Sequence, residues 1–223
     1  MFAVGRLPLA ERYAELLATE GVVRGLIGPR EAPRLWDRHL LNCAVLAEVL
    51  PKSASVADVG SGAGLPGVVL AIARPDLRVI LVEPLLRRTR FLDEVVEALG
   101  LQAQVEVVRG RAEDLAGSRT FDVVTARAVA PLDRLARWCL PLVDAKGELI
   151  AMKGASARTE VEAARPALTA LGCADPVVVE LGMEVLAEPT WAVRLLRPES
   201  GPVGWRGRPG RADGAATDRR KAQ

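Results

Sequence analysis

The residues whose types and spacing best suit chemistry form one short run, Asp58-x-Gly60-x-Gly62-x-Gly64-x-x-Gly67. Glycines at every second position let the backbone turn tightly and let a ligand come close to it. The portion Gly62-x-Gly64-x-x-Gly67 fits a dinucleotide fingerprint, so an NAD(P)-dependent oxidoreductase is one reading. The acids favour another cofactor. Asp58 ends the preceding strand, where a carboxylate can face the cationic end of S-adenosylmethionine through its amino group or a water. A pyrophosphate, carrying two negative charges, would be poorly served there. Glu83 ends the next strand, where an acid binds ribose hydroxyls in either reading, and Glu113-Asp114 follows the third strand, near where adenine would lie. Each acid also has an ordinary structural role open to it: Asp58 as a cap, Glu83 as a strand-end surface residue, Glu113 and Asp114 as helix-start acids beside the dipole. Taken together at successive strand ends, they describe a site lined by acids, and S-adenosylmethionine is the cofactor they fit.

Positioning these residues requires strands that end side by side. Residues 55–59 read as a strand buried on both faces, followed by the glycine turn and an apolar helix from Gly67 to Arg74, with Pro66 in its first turn. Strands are expected at 77–83, 105–108, 121–125 and 147–153, with helices at about 84–99, 131–140 and 158–171. Such alternation argues for an open parallel sheet with helices on both faces. The end of the pattern differs. Segments 177–181 and 191–196 are strand-like, but the gap between them holds no crossover helix, so they should pair antiparallel. The expected fold is therefore α/β of the class I methyltransferase type: a seven-stranded, mostly parallel sheet with an antiparallel C-terminal hairpin.

Ahead of the sheet, residues 9–18 and about 33–50 read as amphipathic helices, the second burying Leu35, Leu40, Leu41, Ala44, Val45 and Val49. They make residues 1–52 a helical cap on a domain spanning 53–197. From 198 to 223 no apolar period remains, and six basic residues between Arg206 and Lys221 outnumber three acids. This tail is expected to be disordered, either as a solvated terminus or as a weak, salt-sensitive RNA tether.

The 223-residue chain is ordinary in composition, with half its residues hydrophobic and a net charge of +2, so no whole-protein field announces a polyanion. Cys43, Cys139 and Cys173 are widely spaced among apolar residues and there is one His, which argues for buried thiols and against a metal site. With no signal peptide and no apolar run of spanning length, the protein is expected to be cytoplasmic and to stay off membranes.

The sequence resembles the RsmG family, also called glucose-inhibited division protein B. The resemblance rests on the run from Asp58 to Gly67 with its Leu65-Pro66-Gly67 ending, on Glu83-Pro84 followed by Arg87-Arg88-Thr89-Arg90-Phe91-Leu92, and on Arg38-His39. It continues in Arg111-Ala112-Glu113-Asp114, Ala126-Arg127-Ala128 and Met152-Lys153-Gly154. It implies transfer of a methyl group from S-adenosylmethionine to N7 of a guanine in 16S ribosomal RNA, with the RNA or the small ribosomal subunit as partner; the protein is expected to be a monomer. It also implies that Gly60 and Leu65 contact the cofactor, that Ala112 and Glu113 lie near adenine, and that Arg127 belongs to the cofactor site. Arg38 and His39 have two readings, as lining of the path by which RNA enters or, for His39, as a residue hydrogen-bonded to a loop under the cap. Lys153, just past a strand end, is expected to contact RNA. Guanine N7 presents an in-plane lone pair and loses no proton on attack, so no catalytic base is expected, in keeping with a sequence that offers no evident nucleophile and a single His.

Overall fold

In a computed structural model of the protein, residues 1–173 and 175–198 are described; nearly all of the basic tail read from the sequence lies outside them. Strands β1 (Ser55–Val59), β2 (Arg78–Glu83), β3 (Val105–Arg109), β4 (Phe121–Arg127), β5 (Val143–Lys153), β6 (Val177–Leu181) and β7 (Thr190–Leu196) form one sheet. Their order is β3-β2-β1-β4-β5-β7-β6. The first five run parallel, while β7 pairs antiparallel with both β5 and β6. The antiparallel pair is as the short connection required, but β7 lies inside and β6 at the edge. Burial explains the order: Ala192, Val193 and Leu195 of β7 are fully covered, whereas of β6 only Leu181 is. Strand β5 begins earlier than expected, at Val143, with a register shift against β4 between Phe121 and Val123. Gly147 sits at that irregularity, where an added Cβ would lie 2.5 Å from the Asp122 carbonyl oxygen.

The period of two along β1 sends its side chains to opposite layers. Val56 enters a cluster with α3 (Gly67–Ala73) and α4 (Leu86–Ala98), while Ala57 and Val59 enter one with α6 (Leu132–Cys139) and α7 (Ala157–Ala170). A single turn, α5 (Ala112–Leu115), follows β3. Pro66 stands at the N-cap of α3, one position before the first helical turn in which it was expected.

The N-terminal segment is helical but irregular. Helix α1 (Leu7–Leu16) continues into a π-helical turn, Leu17–Gly21. The expected second helix is a succession of short pieces: a 3-10 turn at Ala32–Arg34, a π-helical turn at Trp36–Leu40, α2 (Leu41–Ala44) and a 3-10 turn at Val45–Val49. Wider and tighter turns alter the rotation per residue, so Cys43 and Leu46 face inward where Leu41 and Val49 were expected, and those two are only half-buried. Tyr13, Leu17, Leu40 and Leu46 share one hydrophobic cluster with α3 and α4, so the cap and the sheet bury a common core.

Candidate active site

Strand order reverses between β1 and β4, so the loops leaving their C-terminal ends part and open a crevice. A cavity of about 690 Å³ fills it, walled by the glycine turn after β1 and by the loops after β2, β3 and β4. Gly60 has φ +71°, and a Cβ there would lie 2.7 Å from Val129 Cγ2 across the crevice. Gly67 is helical but equally confined: a Cβ would meet Leu81 Cδ2 and come within 2.8 Å of Asp58 Oδ2.

Asp58 does not line this cavity, contrary to the expectation that it faces the cofactor. Alternation along β1 directs it to the α3 side, where it is fully buried and its Oδ2 accepts the Gly67 N–H at 2.9 Å. Its Oδ1 is buried with no hydrogen-bond partner. Burial pushes this carboxyl up to about 7, opposed by the Gly67 N–H and the charge of Arg127. The residue that the strand-end position suggested as a ligand is a helix cap.

Glu83 does reach the cavity, almost fully buried. Its Oε2 accepts the Gly62 N–H at 3.0 Å and its Oε1 the Leu85 N–H at 3.0 Å, with Arg88 Nη1 at 3.5 Å. A carboxylate has acceptor capacity for about four donors, which leaves room for about one hydroxyl beside these three. Across the loop after β3 the acidic pair divides. Asp114 Oδ2 takes the Arg111 N–H at 2.8 Å and closes a cap on α5, while Glu113 and Ala112 border the cavity. Gly60, Gly62 and Leu65 line it from the first loop.

Arg127, ending β4, borders the cavity and places Nη1 3.1 Å from His39 Nδ1; His39 Nε2 lies 3.0 Å from Glu31 Oε2. A guanidinium only donates, so Nδ1 is the acceptor and the ring proton sits on Nε2, pointing at Glu31. Burial and the Arg127 charge hold His39 below its ordinary value near 6.5, with Glu31 opposing them. Arg38 is half-exposed, 3.5 Å from Glu31 Oε1. Beyond Arg127, Ala128 adopts φ +55°, a left-handed turn that carries Val129 over Gly60.

Lys153 is not presented to solvent as an RNA contact would require. Its side chain is 11% exposed, with Nζ donating to Glu160 Oε1 at 2.7 Å and to the Ala130 carbonyl at 3.1 Å. The same Glu160 oxygen accepts the Leu132 N–H at 2.7 Å. Lys153 therefore ties the loop after β4 to α6 and α7.

Sequence reasoning missed several cavity residues. Arg134 and Trp138 stand four apart on α6, with the guanidinium 5.1 Å from the indole ring centroid; that spacing on one helix face was a usable signal. Leu26 and Ile27 close the cavity from the segment between the two helices expected in the cap, and nothing in their pattern announced it. The wall chemistry suits S-adenosylmethionine: Glu83 and Glu113 offer acceptors for hydroxyl and amino groups, and Leu65, Val82 and Ala112 offer apolar surface.

The chain is 64% identical over 205 residues, 92% of this chain and 82% of the relative, to a protein of Nocardioides named ribosomal RNA small subunit methyltransferase G. It is 61% identical over 198 residues to the protein of the same name from Salinispora arenicola, covering 86% of this chain and 82% of that one. Among solved structures, a putative O-methyltransferase of Nostoc punctiforme superposes with a TM-score of 0.56 at 13% identity, over 70% of this chain and 56% of that one, a likeness of fold. None of these relatives favours an oxidoreductase. A family model described as rRNA small subunit methyltransferase G matches residues 6–186, a span that contains every residue lining the cavity, and the chain belongs to that family, GidB.

Proposed function

We propose that the protein methylates N7 of a guanine in 16S ribosomal RNA, using S-adenosylmethionine. The observation that carries the reading is the family match across the whole cavity, at 64% identity to a relative whose name states small-subunit ribosomal RNA. S-adenosylmethionine supplies a methyl group on a sulfonium, which the N7 lone pair can accept without first losing a proton. The chain's own task is then binding, orientation and exclusion of water, for which proximity alone is worth roughly 7–11 kcal/mol. Glu83 holds a ribose hydroxyl with the acceptor capacity that Gly62, Leu85 and Arg88 leave free, and Glu113 and Ala112 flank the adenine. Leu26 and Ile27 keep the reacting end dry, and Arg127 orients the guanine or a phosphate beside it.

In this reading residues 1–52 are a cap on a catalytic domain of residues 53–197, followed by a basic tail from 198. The protein acts as a cytoplasmic monomer on RNA or on the small subunit. Among the described residues no helix is long and apolar enough to cross a membrane. The test is transfer of labelled methyl to under-modified small-subunit RNA, with the modified base mapped by borohydride–aniline cleavage. Cleavage at one guanine, dependent on the protein, is expected. Absence of transfer, or saturable NAD(P)H binding in its place, overturns the proposal.

A further inference from the structure

A chain of three side chains joins the cap to the far wall of the cavity. Glu31 and His39 belong to the N-terminal segment, while Arg127 lies 88 residues further on at the end of β4. His39 shows 17% of its side chain to solvent and Glu31 33%, so the chain is shielded over most of its length. Only the tautomer with the proton on Nε2 satisfies both contacts at once, since Nδ1 must accept from the guanidinium.

We propose that His39 is a positioning residue: fixed by Glu31 as its Nε2–H tautomer, it accepts from Arg127 at Nδ1, holds that guanidinium at the cavity, and releases it when protonated. Release follows from charge and geometry. A second ring N–H at Nδ1 would confront a group with no lone pair to offer, and two cations would then stand 3.1 Å apart. The role of Arg127 in turnover rests on the proposed function; its tie to His39 does not.

The sign of the pH effect follows from the groups around His39. Arg127 from β4 and Arg38 from its own segment disfavour the imidazolium, Glu31 favours it, and burial disfavours it most. Arg34 acts on Glu31 in turn. Beneath Arg127 lie Asp58, Tyr13 and Cys43, all buried, and Arg127 favours the charged form of each. The folded protein thus keeps His39 below 6.5, so the contact is intact above that range and lost as pH falls through the folded value. Asp58, raised to about 7, also titrates near neutrality and needs a control.

His39 is the only histidine in the sequence, so its ring nitrogens can be followed by nitrogen-15 NMR in the full chain carrying a histidine-free tag. The expected spectrum shows the Nε2–H tautomer at pH 7.5 and a midpoint below 6.5. Arg127→Ala should raise that midpoint and Glu31→Gln should lower it. An Nδ1–H tautomer, or a midpoint indifferent to Arg127→Ala, overturns the proposal without reference to activity. In methyl transfer, kcat should fall on the acid side with the same midpoint, and Asp58→Asn should keep that limb. His39→Asn, which retains an acceptor near the Nδ1 position, should flatten it while keeping most turnover. His39→Leu should lose about tenfold in kcat with little change in KM. Equal losses in the Asn and Leu variants would overturn the positioning role. Absence of transfer by the unmodified protein would overturn the proposed function and leave the NMR result to decide on His39.

Discussion

The turn after β1 and the turn after β4 face one another across the cavity, but only the first is braced by hydrogen bonds within its own stretch of chain. In the first, Ser61 Oγ donates to the Asp58 carbonyl at 2.7 Å and the Gly67 N–H to Asp58 Oδ2 at 2.9 Å, all within ten residues. Remote partners add to that frame: the Val82 carbonyl and the Glu83 carboxylate accept from its N–H groups, and Tyr13 Oη donates to the Ala63 carbonyl at 2.7 Å. The second turn has no comparable local frame. Arg127 is held by His39, Ala130 by Lys153 and Leu132 by Glu160, each from another element. The first turn is packed into the core of the sheet, while Ala128 and Val129 are exposed. Structural failure should therefore follow damage to the β1 turn, and loss of turnover in a folded protein should follow damage to the β4 turn.

The largest expected effect is that of Gly67→Ala. The new methyl would press on Leu81 Cδ2 and lie 2.9 Å from Asp58 Cβ, between two buried strands that cannot retreat. Overpacking on this scale, with strain on the Asp58 cap, should cost about 3 kcal/mol. Denaturant unfolding should show a lower midpoint at unchanged slope. A variant within about 0.5 kcal/mol of the parent, the range of ordinary surface changes, would show that the β1 turn is no more rigid than its counterpart.

Arg127→Ala is the matching probe of the other side. Nothing in the core depends on its volume, so the fold should survive while kcat falls about 10²-fold, the scale of a misplaced reacting partner. Circular dichroism with single-turnover methylation separates the two effects. Loss of folding in place of kcat would erase the contrast between the turns.

That contrast also decides what could be read in the sequence. The β1 turn was legible because its glycines are demanded by local geometry and part of its frame lies within ten residues, though its tie to Tyr13 was not. The parallel sheet was legible for the same reason, from alternation at short range. Asp58 was placed at the right strand end but on the wrong face, because its cap role depends on which layer α3 joins. Lys153 looked free because Glu160 and Ala130 approach it only in three dimensions. No spacing rule reveals that His39 meets Arg127 across 88 residues. The irregular helix of the cap was hidden as well, since π and 3-10 turns carry no distinct apolar period.

Lys153→Met tests the tie on the β4 turn at intermediate scale. Glu160 would keep the Leu132 N–H but lose its cation, and the Ala130 carbonyl would lose a donor. A stability loss of roughly 1–2 kcal/mol is expected, with a modest fall in kcat. The salt dependence of RNA methylation should not change. A slope reduced by about one, the signature of a lost phosphate contact, would return Lys153 to the RNA surface.

Arg38→Ala should have the smallest effect on the fold. Its guanidinium is half-exposed and 3.5 Å from Glu31, and such pairs contribute only about 0–1 kcal/mol. Thermal stability should move little, and the His39 midpoint should rise slightly, because a weak opposing charge has been removed. What the variant resolves is the partner of the cap's outer surface. If Arg38 meets RNA phosphate, KM for RNA should rise, kcat should hold, and the logarithmic salt slope should shrink by about one. Unchanged KM and slope would confine Arg38 to tuning Glu31 and His39. The cap would then act on the reaction from within, through the residue that grips Arg127.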